Sequence, residues 1–297
     1  MNKKTGLTLV LGSAFFYASY GIWSRLMAST FGDFSQAWTR YLILLIVVLI
    51  INWKWKIFKP IVKQDIPWLL AIAFAGGLNQ APYYFGFKHL DIGTAIMLFY
   101  TGLVTGGYIW GKFVFKEKIT FKIFTSLILG ILGMLVIYKF DLKPNQIFPA
   151  LMTILAGFMG SAGVILPKKT VGDYQEFQVM TWYLVVGFIV NGIISIFLKD
   201  AIPNITDIKP WLAQIGYSTA FLLANWIAIK GYKYFDASVA SLLGLTEIIF
   251  GIIFGMILFG ELLTTGMFYG TLLIMVSAML PHIKFKLSNT TKGKIVF

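Results

Sequence analysis

The sequence predicts an all-α membrane protein of ten transmembrane helices, arranged as two inverted five-helix repeats. Three observations carry that reading. Of 297 residues, 58% are hydrophobic and only 12% charged, with a mean hydropathy of +0.79; a soluble domain carries about twice that share of charge. Ten apolar segments follow one another with short links, each close to the length that crosses a bilayer core of ~30 Å as a helix. The first five segments then share spaced residues with the last five, in the same order.

The segments fall at roughly 6–26, 36–53, 67–87, 92–115, 119–138, 146–167, 175–198, 209–231, 237–259 and 264–283. Span 1 contains Ser19-x-Gly21 and span 6 contains Ser161-x-Gly163. Span 2 contains Gln36-x-x-Thr39-x-Tyr41-Leu42, matched in span 7 by Gln178-x-x-Thr181-x-Tyr183-Leu184. Pro67-Trp68-Leu69 opens span 3 as Pro210-Trp211-Leu212 opens span 8, and Lys88-x-x-Asp91 precedes span 4 as Lys233-x-x-Asp236 precedes span 9. Glu117-x-x-Thr120 closes the fourth span as Glu261-x-x-Thr264 closes the ninth. The offset drifts only from 142 to 145 residues, which a few small insertions produce. The chain therefore divides into a first unit, 1–143, and a second, 144–297, with a short basic tail. An odd number of spans per unit makes the second unit enter the membrane from the opposite side. Inverted copies enclosing a site at mid-membrane are the architecture of secondary transporters.

Charge position fixes the orientation. With the N-terminus in the cytoplasm, eighteen of the 25 basic residues fall on the cytoplasmic side, and Arg25, Arg40, Lys88, Lys139, Lys143, Lys199 and Lys209 fall on the other. Such a bias places both termini in the cytoplasm of a bacterial-type plasma (inner) membrane. The net charge of +13 is thereby spent on short loops, so no nucleic-acid partner is implied. Without cysteine, thiol catalysis and thiolate metal sites are excluded. The two histidines, His89 and His282, fall on opposite sides and cannot share a metal. Neither a paired-carboxylate motif nor HExxH, GxSxG or a phosphate loop is present, so the sequence points away from an enzyme and calls for no cofactor.

Span 9, Ala237 to Phe259, holds one charge, Glu247, near its midpoint. A carboxylate at that depth costs a few kcal/mol, so it belongs against protein or a wet cavity. Ala240, Gly244, Gly251 and Gly255 share its helical face. Leu245 to Thr264, LTEIIFGIIFGMILFGELLT, resembles the signature of EamA-type members of the drug/metabolite transporter superfamily, with Gly260-Glu261 before the last span. Ile248 stands where that pattern often has Pro, and Lys116 replaces Gly in the first-half counterpart. The resemblance implies ten helices and a central cavity walled by spans 1, 3, 4, 6, 8 and 9. It also implies a small metabolite as cargo, with amino acids and their derivatives the commonest class and export the commonest direction.

Polar and aromatic stripes on those spans supply the candidate solute contacts: Tyr17, Tyr20, Asn79, Gln80, Tyr83, Tyr100, Thr101, Ser161, Phe221, Asn225, Trp226 and Glu247. For Asn79, Gln80 and Asn225, solute contact and interhelical bonding are both open. Glu247 has three readings: a partner for a cationic amine, a group that exchanges a proton during transport, or a packing residue bonded to a neighbouring helix. A proton is thus a candidate coupling ion, and oligomeric state is undetermined. Serines and threonines in such helices bond to the carbonyl one turn back, and the pairs Gly102/Gly106, Gly107/Gly111 and Gly251/Gly255 read as close-packing devices. Arg40 reads as an orientation and headgroup contact, and Arg25 as part of an external gate.

Overall fold

The computed structural model describes residues 3–27, 30–90, 92–138, 142–260 and 262–282. Asp91, Lys139, Glu261 and the basic tail from residue 283 lie outside the described residues, as do the side chains of Ser24, Arg25, Lys88 and His282. Among the described residues the chain is helical, with no strand.

In chain order the helices are α1 (Lys3–Ala18), α2 (Tyr20–Met27), α3 (Asp33–Lys54), α4 (Ile66–Leu78), α5 (Gln80–His89), α6 (Ile92–Ile109), α7 (Phe121–Tyr138), α8 (Ile147–Ile165), α9 (Glu176–Leu198), α10 (Ile208–Tyr232), α11 (Ala237–Gly244), α12 (Thr246–Phe259) and α13 (Thr265–Met279). Among the described residues, seven helical runs are long and apolar enough to cross a membrane; Thr265–Met279 is apolar but shorter. Large apolar side chains stand on the outside of the bundle, as at Phe197 (82% exposed). A helix surface of that kind suits lipid rather than water.

Three apolar segments that read as single helices are interrupted. α1 gives way to α2 at Ser19, whose Oγ donates to the Phe16 carbonyl. α4 gives way to α5 at Asn79, where Pro82 removes an amide donor and crowds the carbonyl of Leu78. α11 gives way to α12 at Leu245, where one tight turn (Leu245 N to Leu242 O, 3.1 Å; Ile248 N to Leu245 O, 3.1 Å) precedes Glu247 by two residues.

Close pairs hold the bundle together. α6 lies on α8 backbone to backbone: a Cβ at Gly102 would collide with the Ile154 carbonyl, and one at Gly157 with that of Phe99. α9 receives both α3 and α4, with Asn52 Nδ2 donating to Thr181 Oγ1 (2.9 Å) and Asn191 Nδ2 to the Gly77 carbonyl (3.1 Å). α7 pairs with α13, where the Ser277 hydroxyl donates to the Ser126 carbonyl. α10 packs along α1 and α2.

The bundle has two distinct ends, each marked by a carboxylate that caps backbone amides across the chain. At one, Asp65 accepts from Val171 N (3.0 Å) and Gly172 N (2.9 Å). At the other, Asp200 accepts from Phe34 N (2.7 Å) and Ser35 N (3.0 Å).

Candidate functional site

All three interruptions converge on one cavity of about 990 Å³. It runs from the Asp200 end, where Phe31, Gly32, Lys199, Asp200 and Ala201 form its mouth, to Asn225, Tyr232 and Glu247 near the bundle's middle. Among the described residues, none at the Asp65 end lines it. Nine of the chain's fourteen tyrosines do, so the wall offers hydroxyls on an otherwise aromatic surface. That size and lining suit a small organic molecule.

Of the residues singled out by the sequence, Tyr17, Tyr20, Asn79, Gln80, Tyr83, Tyr100, Phe221, Asn225 and Glu247 line the cavity together. Glu247 sits in the first turn of α12, with its face continued by Gly251 and Gly255. Tyr100 shares the cavity wall with it. The Glu247 side chain is partly exposed although protein surrounds it, because it faces the cavity. Tyr17 donates to Asn225 Oδ1 (3.1 Å), while Asn225 Nδ2 donates to the Phe221 carbonyl (2.9 Å) and reaches Tyr20 at 3.5 Å. Asn79 accepts from Gln80 Nε2 (3.2 Å). For these amides, helix bonding and a place on the wall coexist.

Thr101, Ser161 and Trp226 fall outside the lining, for a local reason in each case. Thr101 Oγ1 donates to the Met97 carbonyl (2.8 Å), so its hydroxyl is consumed within α6. Ser161 is fully buried between the Phe158 carbonyl and Trp110 Nε1 (2.7 and 3.0 Å). Trp226 turns to the other side of α10 and stacks on Phe177 (centroids 5.5 Å, 13°). The cavity face of α6 is instead Ile96, Phe99, Tyr100 and Leu103.

Two further readings change. Within the pair Gly251/Gly255, Gly251 is not a packing contact, because a Cβ there would meet nothing within 4 Å and it borders the cavity, whereas Gly255 is buried. Arg40 is not a headgroup contact: it is wholly buried (0% exposed). Its guanidinium donates to Gln80 Oε1 (3.2 Å) and to the Tyr84 hydroxyl, and its Cζ lies 3.6 Å from the Tyr217 ring centroid. Reading Arg40 by its distance from the span end ignored what faces it. Tyr84 and Tyr217 were also missed, although tyrosine at mid-span is a signal available in sequence. Among the described residues no cluster of three metal-ligating side chains occurs.

Comparison with known proteins agrees with this geometry. The model of the EamA-like transporter family matches the chain twice, over residues 4–139 and 147–281. Two Helicobacter pylori proteins, each named only an uncharacterized transporter, are 22% and 21% identical over 291 and 288 residues, covering 93% of both chains. A solved crystal structure superposes with a TM-score of 0.79 at 11% identity, covering 93% of this chain and 96% of its own.

Proposed function

The chain belongs to the EamA-like transporter family, and from that premise we propose that it is a secondary carrier working by alternating access. In this reading ten spans form two inverted units, 1–143 and 144–297, in a bacterial-type inner membrane with both termini cytoplasmic. The doubled family match supports the duplication. So does the reciprocity of the ties: Asp65 follows α3 and caps amides ahead of α9, whereas Asp200 follows α9 and caps amides that begin α3.

The observation that carries the proposal is the shape of the cavity. A space open at the Asp200 end and blind at the Asp65 end is one of the two states an alternating carrier needs. With cytoplasmic termini, the open end is the external one. The cargo is a small metabolite, an amino acid or a related amine-bearing or amphipathic solute, moved outward as the family resemblance suggests. Glu247, the one acidic group deep in the cavity, is the partner for its amine, and the surrounding aromatic faces suit a cation as well as an apolar body.

A second reading, uptake or proton-coupled exchange of organic cations or nucleoside-type metabolites, is favoured by the same carboxylate facing the cavity. Flux into liposomes, measured for amino acids, amines and nucleosides with and without a pH gradient, separates the two. Saturable flux with exchange supports a carrier, and ohmic single-channel current would replace it with a pore. Glu247→Gln should leave folding intact and lower amine transport by about tenfold, the loss of one charge-assisted contact. If rate and pH dependence both survive that change, Glu247 has neither role.

A further inference from the structure

Arg40 is a permanent cation with an unusual set of neighbours. Among the described residues no carboxylate lies within ion-pair distance; its recorded partners are an amide oxygen, a hydroxyl and an aromatic face. Its Nε–H is buried without a hydrogen-bond partner. The matched motifs of spans 2 and 7 place Arg40 opposite Trp182, between the paired Thr39/Thr181 and Tyr41/Tyr183. The second unit builds the same helix without a charge there, so the helix itself does not require one.

The hydrogen bonds around Arg40 run in one direction. The guanidinium donates to the Tyr84 hydroxyl, which donates in turn to the Tyr217 hydroxyl (3.2 Å). Tyr217 is left with its own hydrogen to give, and both Tyr84 and Tyr217 border the cavity. A donor at the end of such a chain is polarised by the cation behind it. Tyr20 packs on Tyr217 (centroids 4.6 Å) and also on Tyr17 (5.4 Å), joining this region to the Asn225 side of the cavity.

We propose that Arg40, Tyr84 and Tyr217 form a carboxylate-recognising pole of the cavity, distinct from the acidic pole at Glu247. A solute carboxylate accepts from the Tyr217 hydroxyl and supplies the counter-charge that none of the described residues gives Arg40. The proposal rests on the transport reading and narrows it: the cargo carries an acidic group as well as an amine.

The chain has two arginines, Arg25 and Arg40, so arginine-selective 15N labelling of the full-length protein in nanodiscs yields two guanidinium signals, assigned by Arg25→Lys. The probe is sodium acetate, with sodium chloride and methylammonium chloride as controls. The Arg40 Nε resonance should shift saturably with acetate and with neither control. Tyr217→Phe, which keeps the ring under the guanidinium and removes only the hydroxyl, should weaken the acetate response by about tenfold. A resonance that ignores acetate, follows chloride equally, or responds to acetate alike in wild type and Tyr217→Phe overturns the pole. Solute flux without an Arg40 response would sink the pole and leave the carrier; an Arg40 response without flux would do the reverse.

Discussion

The two ends of the bundle use the same device and differ in what surrounds it. At each end an aspartate in the link after one helix of the α3–α9 pair caps amides at or just ahead of the start of the other. That pair is tied above and below, and it forms a frame. At the Asp200 end, among the described residues, Gly32 N donates to the Ala201 carbonyl (2.8 Å), as does the Ser35 hydroxyl, and Gln146 Nε2 donates to the His89 carbonyl (3.0 Å). The Asp65 end adds a second layer. Lys59 and Gln178 exchange backbone and side-chain bonds, and Val62 N donates to the Tyr174 hydroxyl. Glu117 caps α11, Lys168 Nζ reaches the Phe235 carbonyl (2.6 Å), and Lys233 pairs with Glu176 (2.9 Å). Among the described residues, frame ties therefore exist at both ends, and most of the further, sealing ties lie at the Asp65 end. In the proposed carrier, the sealing ties at the Asp65 end are the ones that break when the cavity comes to face the other way.

The largest effect is expected at Glu117. Its carboxylate accepts from Ala237 N (2.5 Å), Ser238 N (3.3 Å) and the Ser238 hydroxyl (3.0 Å), fixing the start of α11. Glu117→Ala should cost about 2–3 kcal/mol, since charge-assisted bonds are lost and the amides of a helix start are left open. Thermal unfolding in detergent reads that loss. A conformational readout is available as well, because the chain lacks cysteine and a Cβ at Gly251 would meet no neighbour within 4 Å. In Gly251→Cys, an impermeant maleimide should label from the Asp200 end. Adding Glu117→Ala should lower that labelling and raise it from the Asp65 end. Unchanged sidedness would remove Glu117 from the seal.

The frame tie should be weaker and pH-dependent. Burial opposes charge on Asp65, yet the amides of Val171 and Gly172 and the Tyr174 hydroxyl outweigh it and hold the carboxyl below its usual range. A depressed carboxylate stabilises the fold above its unfolded value, near pH ~4, and loses that contribution as pH falls through the folded value. Asp65→Asn should cost about 1–2 kcal/mol at neutral pH. The gap from wild type should close as pH drops below ~4. A gap that persists in acid would mean that shape rather than charge makes the tie.

Most of this scaffold could be read in the sequence, because a lipid environment leaves few choices for an apolar segment of twenty residues. Each apolar segment coincides with helix, and α3, α9 and α10 match their segments within a few residues. The site was legible where polarity cannot be satisfied locally. Glu247, Asn79, Gln80 and Asn225 have side chains too demanding for lipid, and all four reached the cavity. It was illegible where a hydroxyl bonds its own helix, as Thr101 does, since a threonine stripe then carries no information about its face. Arg40 failed for a different reason. Its sequence position lies near a span end, but α5 and α10 cover it with Gln80, Tyr84 and Tyr217, which only the tertiary packing reveals. Glu117 stood out as a repeat marker, while its work of capping α11 belongs to a contact 120 residues away.

The smallest effect belongs to the ion pair that adds most visibly to the Asp65 end. Lys59 Nζ lies 3.4 Å from Asp173 Oδ2, with the two side chains 45% and 93% exposed. Water screens such a pair, and holding two long side chains together has an entropic cost, so exposed pairs contribute only ~0–0.5 kcal/mol. Lys59 keeps its bond to the Asp173 backbone carbonyl (2.8 Å) whatever stands at that side chain. Asp173→Ala should therefore leave both thermal unfolding and Gly251→Cys sidedness within error of wild type, even at low salt. If it moved sidedness as Glu117→Ala does, the division between frame and seal would be drawn in the wrong place, because a solvent-exposed rim charge would then be helping to hold the cavity shut.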